Sequence, residues 1–595
     1  VFRHRVSLAG AFRRVIHVEV DIDLPPGVVE QDIHFPVWTP GSYLIREHER
    51  HLHDWRATID GRAAASTKVS KNVYRVRTDG ATKLQLSYEI YAHELTVRTS
   101  HVDPSHAFLN PITFCPYVPG REKEQQELVV TDLPQGWDAA CALPERRQNN
   151  EVTFLAADFD ELVDSPVECG PHARPSERLQ FEVRGVPHDI VMWGRSPLDR
   201  ERFKTDVAKI VEAQAAMFGG LPYQRYLFIV HASDTGRGGL EHRASAALLY
   251  PRNSVLKPKG YEDFLGLVSH ELFHAWNVKR IKPEAFTPYD LSRENYTRQL
   301  WAFEGLTSYF EDIVLVRAGL MSRKRYLEVL AERMTTLEKA PGRKRHPVGE
   351  ASFDAWIRYY RQDENSENSS VSYYLKGSLI GNLVDLEIRR RTNGAKSLDD
   401  AMRLLWERHG AIGRGVPEDG VERACSEVAG ADLSPLFDLA IRSTSDLPLE
   451  DALVSHGIKT SRRVAVSGDD KGGAASPGST AFRCEVGLTI RAEGDRQRVA
   501  AVKRDSAAEA AGFCPGDELV AIDGLRADGS AAARLLERQP GVAIEVLVFR
   551  RDELQRLSLT PREPVADTFV IEEDPSASEG QKTLLAKWLP TSNSK

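Results

Sequence analysis

The sequence predicts a multidomain α+β protein, and three observations carry that reading. Residues 1–170 alternate apolar and polar with period two, helical periodicity begins near Glu201, and a Gly- and Ser-rich break after residue 466 precedes a smaller β-rich module. At about one domain per ~150 residues, a chain of 595 residues corresponds to about four domains. The pattern divides it into a β-sandwich-like domain (1–170), a mixed domain (171–320), a helical domain (321–445), a β-rich domain (446–565) with a flexible insertion near 467–480, and a tail (566–595). Hydrophobic residues at 41% and charged residues at 28% supply several cores and exclude wholesale disorder. The net charge of −8 argues against nucleic acid and anionic membranes as partners. No apolar run reaches 18 residues, so no membrane-spanning helix is expected, and the start, Val1 to Arg5, has no signal-like stretch.

His17 to Leu24 and Leu84 to Tyr91 read as half-buried strands. Glu201 to Phe218 has helical spacing and stops at Gly219-Gly220, and Arg225 to Val230 then reads as a buried strand. Further helices are expected over Tyr261 to Lys279, Thr297 to Leu320 and Ser378 to Arg391. The last ends in Arg389-Arg390-Arg391, basic residues that complement a helix C-terminus. Ser467 to Thr480 has almost no large apolar residue and reads as a loop. Leu584, Leu585, Trp588 and Leu589 suit either a short docking helix or a frayed end. Six cysteines, far apart and without a Cys-x-x-Cys pair, read as free thiols, which favours the cytoplasm over the periplasm.

The strongest chemical signal is His270-Glu271-Leu272-Phe273-His274. On a helix the residues i and i+4 share a face, so both imidazoles can hold one Zn²⁺, with Glu271 beside the metal as a base toward water. A third ligand is needed, and Glu304 stands in the apolar part of the next helix, between Phe303 and Gly305-Leu306, where a carboxylate requires a cation. Glu311 and Asp312 are rivals in a more polar patch, read as facing solvent or a basic neighbour.

The run His270 to Arg280, followed by Trp301 to Tyr309, resembles the glycyl aminopeptidase family of thermolysin-like (gluzincin) zinc peptidases, as do Phe35 to Tyr43 with Arg46, and Ser105 to Asn110. The resemblance implies His270, His274 and Glu304 as ligands of one zinc per chain and Glu271 as general base, in a thermolysin-like catalytic domain. Thermolysin-type enzymes carry Asp four residues after the glutamate ligand; Ser308 stands there in this chain, so a histidine partner must be supplied differently, with Asn277 or a backbone carbonyl as candidates.

Gly238-Gly239-Leu240-Glu241 lies between two expected strands, where the glycines let a strand edge approach an extended peptide and Glu241 can bind a free α-amine. Leu-Glu-His here looks like the glycyl branch's version of the exopeptidase motif of zinc aminopeptidases. Tyr374-Leu375-Lys376-Gly377 resembles the segment from which related aminopeptidases present an oxyanion-binding tyrosine, with Tyr373 as the rival for that role. Glu485 to Ile490, Ser506 to Gly512 and Pro515 to Gly524 occur in the order of a PDZ domain, implying a site for a peptide C-terminus at Gly487, Leu488 and Thr489, or a purely structural module.

The expected function is a zinc-dependent aminopeptidase acting on peptides with a free N-terminus, and the family resemblance implies a preference for Gly and Ala. The alternatives are a PDZ-regulated zinc endopeptidase and a catalytically inert peptide-binding scaffold.

Overall fold

A computed structural model describes residues 2–148 and 151–591. The chain divides into two compact units, Val1–Tyr296 with Phe310–Leu320 and Met402–Glu418, and Thr297–Tyr309 with Met321–Ala401 and Asp419–Lys595.

In the first unit, an eight-stranded sheet has the order Glu145–Gln148, Glu151–Ala156, Gln126–Thr131, Phe2–Ser7, Val15–Asp23, Lys83–Tyr91, Leu52–Ile59 and Arg62–Ala63. Its alternation is the one read from the sequence: Val18, Val20 and Ile22 are buried while Glu19, Asp21 and Asp23 are exposed. A smaller sheet orders Asp138–Ala140, Val167–Gly170, Ala107–Leu109 and His101–Val102. A five-stranded sheet follows, with parallel neighbours Val186–Trp193, Tyr226–Ser233 and Ser245–Pro251 at its centre. Their continuous apolar runs fit strands buried on both faces. The outermost strand, Gly238–Glu241, is antiparallel to Ser245–Pro251 and puts Glu241 opposite Ala246. Helix Arg200–Phe218 is capped by Asp199, which accepts from the Arg202 amide, and ends at Gly219 in the left-handed conformation.

Three helices differ from the sequence expectation, two of them near the middle of the chain. The helix carrying the histidine pair spans Pro258–Phe273 and stops well short of Lys279, because His274 caps it and the chain turns, with Val278 at φ 96°. The expected helix over Thr297 to Leu320 is two pieces, Leu300–Phe303 and Gly305–Arg317, with Glu304 at the joint. No helix of the described residues is long and apolar enough to cross a membrane.

The second unit holds helices Arg323–Lys339, Tyr373–Arg391, Gly420–Ala429 and Leu449–Val454. Tyr373–Arg391 starts five residues before Ser378 because Ser372 caps it, accepting from the Leu375 amide. Its terminal arginines are internal partners: Arg389 is buried on Asp385 at 2.9 Å, and Arg390 and Arg391 both pair with Glu387. Residues 467–480 form no helix or strand, yet Asp470 is gripped by both arms of Arg463, at 2.6 and 2.9 Å. The tail forms strand Thr568–Glu573, paired with Ile458–Arg463, and helix Glu579–Trp588, opened by a Ser578/Gln581 capping box. Trp588 is fully buried and donates to the Tyr309 hydroxyl at 3.3 Å. Trp588→Ala should therefore cost about 3–5 kcal/mol of stability, read by denaturant unfolding.

The β-rich module orders Leu488–Glu493, Arg496–Val502, Glu518–Ile522, Ile544–Arg550 and Glu553–Leu559, with helices Ala507–Ala510 and Ala531–Leu536. Its core is built on Val499, Leu519, Ile522, Val546 and Val548. Gly487 enters the first of these strands at φ 81°, where a Cβ would lie 2.2 Å from the Ser506 Cβ, so only glycine fits.

Candidate active site

The last turn of Pro258–Phe273 presents His270 and Glu271, and His274 follows at its cap; all three are buried. The two imidazoles stand 4.7 Å apart, centroid to centroid, nearly perpendicular. Each is oriented through Nδ1: His270 lies 2.7 Å from a Glu311 carboxylate oxygen, and His274 lies 2.7 Å from the Asn277 carbonyl. A neutral imidazole that donates from Nδ1 offers its Nε2 lone pair to a metal, the usual arrangement of ligating histidines. The Asn277 backbone meets the expectation of a carbonyl partner. Glu311 corrects the reading that placed it toward solvent or a basic neighbour, and it supplies the histidine partner that Ser308 cannot.

Beside this pair, a carboxylate oxygen of Glu241, one of Glu271 and a ring nitrogen of His274 lie within 4.8 Å of one another. A Cβ on Gly239 would meet Glu271 Oε1 at 2.0 Å, so the strand edge approaches the Glu271 carboxylate more closely than any side chain permits. Gly238 carries no such demand, since its Cβ would find only ordinary contacts with Arg98 and Val97. A Cβ on Gly41 would lie 2.4 Å from both carboxylate oxygens of Glu241. This gives the Phe35 to Tyr43 segment a physical purpose, the packing of the Gly41 backbone, at φ 88°, against Glu241.

Glu241 is 3% exposed, and its Oε1 has no hydrogen-bond partner in the protein. Burial of a carboxylate oxygen without a donor is costly. The following turn is rigid: Asp164 accepts from the Arg243 amide at 2.8 Å and from Lys279 at 2.8 Å, and lies 3.0 Å from His242 Nδ1. Burial opposes its ionisation, but the charge of Lys279 and the hydrogen bond to His242 hold Asp164 well below the usual carboxylate range.

In the second unit Glu304 is 1% exposed. Its amide donates to the Leu300 carbonyl, and its own carbonyl accepts from the Ser308 amide, so it joins the two helical pieces. Gly305 and Gly377 let their helices cross at backbone distance: a Cβ on Gly377 would lie 2.5 Å from the Trp301 carbonyl oxygen and 2.8 Å from the Gly305 Cα. That crossing brings the Tyr373–Arg391 helix onto Glu304. Tyr374 is half-buried and stacks on Tyr359 at 5.2 Å, while Tyr373 is completely buried. Burial, and next the negative charge of Glu304, push the Tyr374 phenol well above its usual value. Its proton therefore stays in place as a hydrogen-bond donor throughout neutral pH.

The M61 glycyl aminopeptidase family description matches residues 263–380, the M61 N-terminal domain residues 3–171, and a PDZ domain residues 498–551. Among solved structures, an aminopeptidase N family protein from Idiomarina loihiensis is 33% identical with a TM-score of 0.92, over 99% of this chain and 100% of its own. An M1 zinc metallopeptidase from Deinococcus radiodurans is 13% identical with a TM-score of 0.44, over 75% of this chain and 94% of its own. No curated protein matches the sequence. With its catalytic, N-terminal and PDZ regions all matched and a full-length relative of this identity, the chain belongs to the M61 glycyl aminopeptidase family and is a peptide hydrolase of the aminopeptidase kind.

Proposed function

We propose that the protein is a zinc aminopeptidase that removes a small N-terminal residue, Gly or Ala, from peptides. The observation that carries this reading is the buried, partnerless Oε1 of Glu241, on an edge strand whose neighbour Gly239 lies against Glu271. An edge strand pairs with an extended peptide through main-chain hydrogen bonds, and a carboxylate at its end suits a free α-ammonium. The Gly41 backbone packed on Glu241 favours an exopeptidase, because a chain continuing beyond the α-amine would meet it. The family's glycyl description supports the preference for small residues.

The donor chemistry fits one zinc at this centre, held by His270, His274 and Glu304. Two imidazoles fixed through Nδ1 and one buried carboxylate make a three-ligand set with a position left for substrate or water. Glu304 and Glu311 are seven residues apart in sequence, and Glu311 already bears on His270. Zinc, when bound there, supplies Lewis acidity toward a carbonyl oxygen and makes water acidic near neutral pH. Glu271 takes the proton from water and returns it to the leaving amine. Tyr374 donates to the oxygen on which negative charge develops, and Glu241 sets the register by holding the α-ammonium.

Tyr374→Phe should lower kcat by about 10²–10³-fold with zinc content unchanged, the usual loss for one oxyanion donor. An unchanged kcat would pass the role to Tyr373 or remove it from both. Amine release from Gly, Ala, Leu and Lys amides, each free and N-acetylated, tests the whole reading. Cleavage of free Gly and Ala substrates with no cleavage of blocked ones is expected; cleavage of blocked substrates would establish an endopeptidase.

The PDZ module is read as a site for a peptide C-terminus. Leu488–Glu493 is an edge strand, and a cavity of about 250 Å³ is lined by Gly487, Leu488, Thr489, Phe482 and Leu536.

A further inference from the structure

The first unit contains a second set of metal-ligating side chains that shares no residue with the proposed catalytic centre. His101 lies on strand His101–Val102, which pairs with Ala107–Leu109, and the turn between them carries Asp103 and His106. A ring nitrogen of His101, a carboxylate oxygen of Asp103 and a ring nitrogen of His106 lie within 4.8 Å of one another.

The hydrogen bonds around this trio leave specific lone pairs over. His101 Nδ1 donates to the His93 carbonyl at 2.6 Å, and its Nε2 stands 3.4 Å from Asp103 Oδ2. Asp103 Oδ1 accepts from the Ser105 amide, the Ser105 hydroxyl and the His106 amide, which fixes the turn and leaves Oδ2 for His101. His106 Nδ1 is 3.0 Å from Glu168 Oε1, and Glu168, fully buried, is also 2.7 Å from His172 Nε2 and 2.9 Å from His231 Nε2. His106 is 0% exposed, is stacked on Trp193 at 3.8 Å, and has no hydrogen-bond partner in the protein for Nε2. Either protonation state leaves that atom unsatisfied: a bare lone pair or an N–H with nothing to receive it.

Both Nδ1 atoms are held by a carbonyl or a carboxylate, as in ligating histidines, which leaves His101 Nε2, His106 Nε2 and Asp103 Oδ2 as the donor atoms of a trio whose two rings stand 4.9 Å apart, centroid to centroid. Two imidazoles and one carboxylate are the donors of a borderline divalent ion such as Zn²⁺. Asp103 is the partly exposed member, which gives an ion a way in.

We propose that His101, Asp103 and His106 form a second divalent-metal site, which clasps the hairpin formed by His101–Val102 and Ala107–Leu109. Elemental analysis after equilibration with micromolar Zn²⁺ and removal of excess tests it, on three full-length chains. The unmodified chain is compared with a His101→Ala/Asp103→Ala chain and with a His270→Ala/His274→Ala chain. The first substitution should lower the zinc count by one per chain, and the second should leave one zinc bound. Zn²⁺ should also raise the Tm of the His270→Ala/His274→Ala chain, and this rise should vanish when His101→Ala/Asp103→Ala is added. The proposal is overturned if the His101→Ala/Asp103→Ala chain, folded by circular dichroism, holds as much zinc as the unmodified one, or if the His270→Ala/His274→Ala chain holds none. Because the reading is a difference in zinc count at residues outside the catalytic centre, it does not depend on peptidase activity.

Discussion

Glu271→Gln is expected to retain zinc and lose turnover by about 10²–10⁴-fold, the contribution typical of a positioned general base. Gln has the shape of Glu and can fill the same buried space beside Gly239, where a Cβ would lie only 2.0 Å from Glu271 Oε1. What it cannot do is accept a proton. Glu271 is also absent from the proposed ligand set, so zinc content should match that of the unmodified chain. Steady-state kinetics on a Gly amide, with zinc measured on the same sample, check both halves. Retained turnover would take the base role away from Glu271, and lost zinc would place its carboxylate among the ligands.

The second large effect is expected at Glu241. Glu241→Gln should lower kcat/KM for free-amine substrates by an amount corresponding to about 2–5 kcal/mol, on the order of 30-fold to several thousand-fold. The substitution removes the charge that pairs with a desolvated α-ammonium and keeps the side-chain volume against Gly41. N-acetylated substrates provide the contrast, since they have no charge for Glu241 to meet. If the variant cleaves free and blocked peptides as the unmodified chain does, Glu241 is structural and the endopeptidase reading gains.

Much of the site was legible because its information is local. The four-residue spacing of His270 and His274 places two rings on one helical face whatever the rest of the chain does, and they stand 4.7 Å apart. The burial of Glu304 was readable because it stands in an apolar helical run, and it is 1% exposed. Glu311 was misread because polarity at one position does not say which way a side chain faces. Its seven-residue spacing from Glu304 was the available signal, since in the unbroken helix expected there it puts both on one face. The helix limits were misjudged where caps overrode periodicity: Ser372 starts one helix early, and the turn after His274 ends another before Lys279.

By itself, then, the sequence determined the α+β class, the strand alternation of the N-terminal region, the PDZ module and the histidine–glutamate motif. All of these are patterns within a few residues of one another. Only the tertiary structure decided that Gly239 serves contact with Glu271, that Gly41 packs on Glu241, and that Gly305 and Gly377 make a backbone crossing. It also decided that Glu168 gathers His106, His172 and His231 around one buried carboxylate, with His106 Nε2 left over beside His101 and Asp103. The physical reason is that helical and strand periods act over one or two turns. Desolvation, steric exclusion and hydrogen-bond satisfaction act between residues that meet only when distant segments pack.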